Sequence, residues 1–204
     1  MLAVCGGKGG CGKTTTTLGL LRELARQGPV LAVDADRDMP DLAPLAGVPL
    51  APTLGDLDDG TGIRDLARPL PDRPTGAVVP AAPGDDREDL RRVLRRAAAS
   101  GGPTLVDCPA GAGPAAVTPV RVADRALVVT TTAPPSLRDA AKTASLARAV
   151  GTPVAGAVLT GADEVHDGIR RLLGTRVTPV PRALDPVAAP EVRRARRRLV
   201  DRLW

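Results

Sequence analysis

The chain has 204 residues, with 28 Lys and Arg against 23 Asp and Glu, a formal net charge of +5. It has no Phe or Tyr and a single Trp, at the last position, so stacking on aromatic platforms is nearly excluded as a way of holding nucleic acid. Hydrophobic residues make up 43%, enough for a full core, yet no apolar run approaches the ~20 residues of a membrane span.

Short apolar runs alternate with helix-period segments, the pattern of a parallel sheet wrapped by helices. Leu2–Cys5 reads as a strand, followed by a glycine loop and a helix from about Thr14 to Gln27 with Leu18, Leu21, Leu24 and Ala25 as its apolar stripe. Gly28-Pro29 stops that helix, and Val30–Val33 gives a second buried strand. Residues 40–84 are rich in Pro and Gly, with a helical hint at Ile63–Ala67, a strand at Ala77–Val79, and a surface excursion over 68–84. Asp85–Ala99 has helical periodicity, with Leu90, Val93, Leu94, Ala97 and Ala98 on one face and Arg91, Arg92, Arg95 and Arg96 on the other. Such a face is ordinarily solvated, and DNA phosphates are its alternative partner.

Thr104–Asp107, Ala126–Thr130 and Val154–Leu159 read as further buried strands, with a helix near Glu164–Leu173. The expectation is one doubly wound α/β domain over residues 1–190, its mostly parallel sheet flanked by helices, then a basic amphipathic helix over 191–204. No signal peptide opens the chain, so a cytoplasmic protein is expected, peripheral at the inner face of a membrane if the basic helix binds lipid. The three cysteines, Cys5, Cys11 and Cys108, form no CxxC, and a disulfide framework is not expected. Cys11 and Cys108 read as small apolar fillers, with a redox pair around a nucleotide as the alternative. The single histidine, His166, has no partner for a zinc site and reads as a surface residue.

The chemistry concentrates in residues 5–17, CGGKGGCGKTTTT, between a strand and a helix. Gly7-Lys8-Gly9-Gly10-Cys11-Gly12-Lys13-Thr14 satisfies the phosphate-loop pattern G-x-x-x-x-G-K-[ST]. Glycines allow backbone N–H groups to curl around phosphate oxygens, and the helix start adds its dipole. Lys13 is placed for the β- and γ-phosphates, and the Thr14 hydroxyl for Mg²⁺.

Lys8, a second lysine in the loop, completes K-G-G-x-G-K-[ST] and resembles the deviant Walker-A ATPases of the MinD/ParA group. Val33-Asp34-Ala35-Asp36 with Pro40-Asp41-Leu42 resembles switch I of MinD-type proteins, and Leu105-Val106-Asp107-Cys108-Pro109-Ala110-Gly111 their Walker B and switch II. Ala123–Thr130, Ser136–Ala140, and Val180-Pro181 with Asp185 extend the likeness to about residue 190. The resemblance implies a P-loop NTPase fold, ATP and Mg²⁺ as cofactors, and a homodimer with ATP sandwiched. Lys8 would then reach the partner's phosphates. It places Gly7, Lys8, Gly9, Gly10, Cys11, Gly12, Lys13, Thr14 and Thr15 at the phosphates, Thr160, Pro181 and Asp185 on the adenine side, and Thr14, Asp36 and Asp107 around Mg²⁺.

Lys8, Lys13 and Asp36 are the catalytic residues so implied, with Asp36 orienting the attacking water and Asp34 structural. Thr160-Gly161 stands where the family usually has Asn, and a hydroxyl makes one bond where an amide makes two. The expected function is a slowly hydrolysing dimerisation switch that positions or partitions a cellular component, with an activating protein as partner. The basic C-terminal helix is expected to pack on its own domain with its arginines in solvent; an anionic membrane or DNA, met by arginine-rich surfaces, is the alternative. The alternatives are a nucleotide-dependent regulatory module with little hydrolysis and a ParA-like DNA-partitioning ATPase. An ATP-dependent ligase of the dethiobiotin or cobyrinate type is disfavoured by Lys8, and an iron–sulfur carrier by the missing CxxC.

Overall fold

The computed structural model describes residues 1–7, 9–82, 84, 90–111 and 113–204. Strands are β1 (Leu2–Cys5), β2 (Val30–Asp34), β3 (Arg68–Leu70), β4 (Arg73–Val79), β5 (Thr104–Asp107), β6 (Arg125–Thr131), β7 (Val154–Thr160) and β8 (Val177–Val180). Helices are α1 (Lys13–Leu24), α2 (Leu42–Ala46), α3 (Leu90–Ala99), α4 (Pro114–Val122), α5 (Pro134–Ala149), α6 (Asp167–Leu173) and α7 (Pro190–Leu203). The strands form one sheet in the order β3-β4-β2-β5-β1-β6-β7-β8. Every pairing is parallel except β3 with β4, an antiparallel hairpin at one edge.

Both faces of this sheet are covered, and side-chain alternation sorts the core into two layers. Leu2 and Val4 of β1, with Ala32 of β2, meet Leu18 and Leu21 of α1, Leu42 of α2 and Leu199 of α7. Ala3 and Cys5, with Leu31 and Val33, meet Val93 of α3, Val120 of α4, Ala140 and Ala144 of α5 and Leu173 of α6. With no large aromatic rings available, the layers are filled by Leu, Val and Ala, and the alanine face of α5 lets that helix sit close to the strands.

Differences from the sequence reading have local causes. Residues 63–66 form turns rather than a helix. The 68–84 excursion contributes the β3–β4 hairpin, whose longer strand adds to the parallel sheet through Gly76–Val79. Strand β8, unanticipated, carries Pro179 at the sheet edge, where a missing N–H donor is tolerated. Of the helix anticipated over 85–99, residues 90–99 are helical, and 85–89 lie outside the described residues. Its Arg92 pairs with Asp59, and Arg96 donates to the carbonyls of Asp58 and Thr61, so two of the four arginines fasten a loop. His166 caps α6, its Nδ1 accepting from the Gly168 amide at 3.1 Å.

The C-terminal helix is packed into the fold. Val192, Leu199, Val200 and Leu203 are buried, and the helix lies along α1. Arg193 and Arg196, which interrupt the apolar stripe of α7, are received by α1. The Glu23 carboxylate, 4% exposed, accepts from Nε of Arg193 at 3.2 Å and Nε of Arg197 at 3.3 Å. Arg196 lies across Gly19, where a Cβ would come within 2.4 Å of its guanidinium. Among the described residues no helix is long and apolar enough to cross a membrane.

Glu23→Gln is expected to lower unfolding stability by about 2 kcal/mol, on the order of 5 °C in Tm. This is less than the loss of a fully buried partner because Arg193 and Arg197 are half exposed. Thermal denaturation followed by circular dichroism measures it; an unchanged Tm would remove Glu23 as the clamp on α7.

Candidate functional site

At the C-terminal edge of the sheet, β1 runs into the glycine loop and the loop into α1. Gly10 and Gly12 have φ of +76° and +92°, the left-handed region that side chains rarely enter. Gly6 and Gly7 are required for a different reason, close packing. A Cβ on Gly6 would lie 2.7 Å from the Val129 carbonyl, and one on Gly7 2.4 Å from Cβ of Asp139. The loop is thus pressed against β6 and α5, while Gly9 and Gly10 have nothing within 4 Å on the side a Cβ would occupy. Gly12 N-caps α1 without a side-chain acceptor, so the first-turn amides have no cap from the chain itself. An oxyanion is the natural partner for such a helix start.

Around this loop the fold gathers three aspartates from the ends of two neighbouring strands. Asp107, at the end of β5, accepts from the Thr17 hydroxyl at 3.0 Å, which ties β5 to α1. Burial pushes its carboxyl up to about 6, against the hydroxyls of Thr14 and Thr17 and the Lys13 charge, which hold it down. Asp34, at the end of β2, is driven further, to about 8, by burial and by Asp107. Its two oxygens accept from the amides of Asp36 at 3.0 Å and Leu42 at 3.1 Å, so it straps the 35–41 loop to the sheet, a structural role. Asp36 is half-buried, and its Oδ1 accepts from the Met39 amide at 3.1 Å. Lys13 is buried at the start of α1.

The glycine loop, Lys13 and Asp36 share one cleft of about 500 Å³, lined by Gly9, Gly10, Gly12, Lys13, Thr14, Thr15, Asp36, Asp41 and the apolar Met39, Pro44, Leu45 and Ala110; Asp34 and Asp107 are buried and do not line it. Asp107, whose charge is opposed by burial, with the Thr14 hydroxyl and the Asp36 carboxylate near it, belongs to a donor set that a hard cation would relieve. Among the described residues no group of three or more His, Cys, Asp or Glu could hold a metal alone. That suits Mg²⁺, which commonly takes one or two carboxylates and completes its shell with phosphate oxygens and water.

A narrower cleft of about 160 Å³ adjoins the first, sharing Gly10, Gly12 and Thr15 with it. Thr160 and Pro181 line it. Asp185 does not line it; its Oδ1 accepts from the amides of Val187 and Ala188, which caps the loop before α7. Arg196 does line it, and sequence reasoning missed this. The available signal was its position inside the apolar stripe of α7. Lys8 lies outside the described residues. Cys11 belongs to one core layer and Cys108 to the other, with the sheet between them, and both are buried small fillers rather than a redox pair. Another cleft, of about 470 Å³, opens at the opposite end of the strands beside Pro29, Pro103 and Trp204. Its one charged side chain, Arg64, is occupied by the carbonyls of Ser100 and Gly101.

A parallel sheet of this strand order, with a phosphate loop after its central β1, defines a P-loop NTPase fold. The chain belongs to the CobQ/CobB/MinD/ParA nucleotide binding domain family, which matches residues 2–185. It is 32% identical over 167 residues to an uncharacterized ATP-binding protein of Methanocaldococcus jannaschii, covering 78% of this chain and 62% of that one. The chain therefore spans about three-fifths of that relative's length. The cell division ATPase MinD of Pyrococcus furiosus superposes with a TM-score of 0.85 at 24% identity, covering 99% of this chain and 97% of that one. MinD of Pyrococcus horikoshii, complexed with Mg-ADP, superposes with a TM-score of 0.84 at 22% identity, covering 99% and 94%.

Thr17→Val keeps the side-chain shape and removes the hydroxyl that supports Asp107. Unfolding stability without nucleotide should fall by about 1.5 kcal/mol, the cost of withdrawing a donor from a buried carboxylate. Urea denaturation at pH 7 checks this, and no loss would mean that Asp107 is sufficiently held by its other neighbours.

Proposed function

We propose that this chain is a Mg·ATP-dependent dimerisation switch of the MinD/ParA type, which hydrolyses ATP slowly and so positions or partitions another cellular component. The observation that carries the reading is the convergence, in one cleft, of the open glycine loop, buried Lys13 and Asp36, with the buried, Thr17-supported Asp107 beside Thr14 and Lys13. Lys13 and the first-turn amides would hold the β- and γ-phosphates. Thr14, Asp107 and Asp36 would hold Mg²⁺, which supplies neutralisation of charge on the phosphate oxygens. Asp36, fixed by the Met39 amide, would orient the attacking water.

The homodimer reading has its support on the same face. Met39 and Leu45 are 67% and 43% exposed at the rim of the phosphate cleft, an apolar surface that a second copy could cover. Lys8, by its place in the motif, would reach the partner's γ-phosphate. The working surface would be an anionic one, lipid or DNA phosphate, met by outward arginines such as Arg194 and Arg198. The apolar side of α7, being packed, is an unsuitable contact for lipid. An activating protein would then set the rate of turnover.

Light scattering with Mg·ATP and Mg·ADP tests the reading. Wild type should dimerise with ATP and not with ADP. Lys13→Ala should lose nucleotide binding, and Lys8→Ala should bind ATP yet remain monomeric. Asp36→Ala should remain an ATP-bound dimer with hydrolysis reduced about 10²-fold or more, as for loss of a general base. A wild type that stays monomeric with ATP would overturn the switch. Equal turnover in wild type and Asp36→Ala would favour a module acting through nucleotide occupancy.

A further inference from the structure

The narrower cleft beside the phosphate loop has an unusual set of polar side chains: Thr15, Thr16, Thr160, Arg182 and Arg196. Among the described residues, no carboxylate and no carboxamide lines it. The Thr160 hydroxyl is engaged within the fold, lying 3.0 Å from the carbonyls of both Cys11 and Thr130. What the side chains offer a base is therefore mainly guanidinium donors.

Arg196 is the more constrained of the two arginines. It is 3% exposed, is pressed against Gly19, and has a buried Nε with no hydrogen-bond partner. Its one hydrogen bond to the fold, to the Val187 carbonyl, is long at 3.4 Å. Burial lowers its pKa to about 10, opposed by Glu23 and Asp185, so it stays a cation at neutral pH. A buried, charged and incompletely bonded guanidinium is costly unless an acceptor meets it.

Purines differ in what they present to such a wall. Adenine carries an amino donor at C6, whereas guanine and hypoxanthine carry a carbonyl oxygen there, beside the N7 acceptor. Arginine paired with O6 and N7 is a common specific contact to guanine, whereas reading the adenine amino group from a side chain calls for a carboxamide or another acceptor. We propose that this cleft takes 6-oxopurine nucleoside triphosphates at least as well as ATP, with Arg196 of α7 as the residue that reads O6. The inference rests on the nucleotide-binding reading above and widens it from ATP to purine triphosphates.

Competition against a ribose-labelled fluorescent ATP tests it on the full chain with Mg²⁺, using ATP, GTP, ITP, CTP and tripolyphosphate as competitors. GTP and ITP should displace the label at concentrations within about threefold of ATP or below, less than 1 kcal/mol apart. ITP should track GTP, because it shares O6 and lacks the 2-amino group. Arg196→Met should weaken GTP and ITP about tenfold more than it weakens ATP, as for loss of a hydrogen bond from a charged group. ATP binding more than about threefold tighter than GTP in the wild type would overturn the proposal and leave the ATP switch standing. Equal weakening of GTP and ATP in Arg196→Met would also overturn it. The wild-type ratio decides the matter if that variant fails to fold, and a label that does not bind at all removes both readings.

Discussion

The contact on which the site depends is between Thr17 and Asp107, a hydroxyl on the second turn of α1 and a carboxylate at the end of β5. It fixes the height and rotation of α1 relative to the sheet, and with them the position of Lys13 and Thr14 one turn earlier. Asp107 is almost wholly buried, so it pays for its placement in desolvation and is raised to about 6. The neighbouring strand end repeats the arrangement with Asp34, whose oxygens secure the 35–41 loop. Two buried acids on adjacent strands, one holding a helix and the other a loop, bring Asp36 and the glycine loop to opposite sides of the same cleft.

Much of this was legible in the sequence because the chemistry is local. The glycine loop, Lys13 and Thr14 fall within one strand–loop–helix unit, and the short apolar runs ending in Asp34 and Asp107 mark the strand ends that flank it. The β3–β4 hairpin and β8 were harder to read because their strands are short or interrupted by Pro69 and Pro179, residues tolerated only where the sheet ends. Gly6 and Gly7 carry no local sign that β6 and α5 press on them.

The missed residues are those whose meaning is non-local. Glu23 stands on α1 and Arg196 within the basic C-terminal helix, and nothing local in the sequence marks what either meets in the fold. In the fold, Glu23 is 170 and 174 residues from the arginines it accepts, and Arg196 lies across a glycine of α1. The tail of the chain thereby becomes a wall of the nucleotide region. Helix periodicity marks α7 as amphipathic but cannot say what its buried Arg196 is for, since that depends on α1.

The absence of Phe and Tyr has a spectroscopic consequence. Trp204 is the only near-ultraviolet emitter of any strength in the chain. It follows α7, 44% exposed, with the Arg125 guanidinium 5.7 Å from the ring centroid. It sits at the end of the sheet remote from the phosphate loop, beside Pro29 and Pro103. Intrinsic fluorescence of this protein is therefore insensitive to direct contact with a nucleotide and sensitive to the seating of one helix end. A change in emission when ligand is added would report movement carried through α7, with no background from the core.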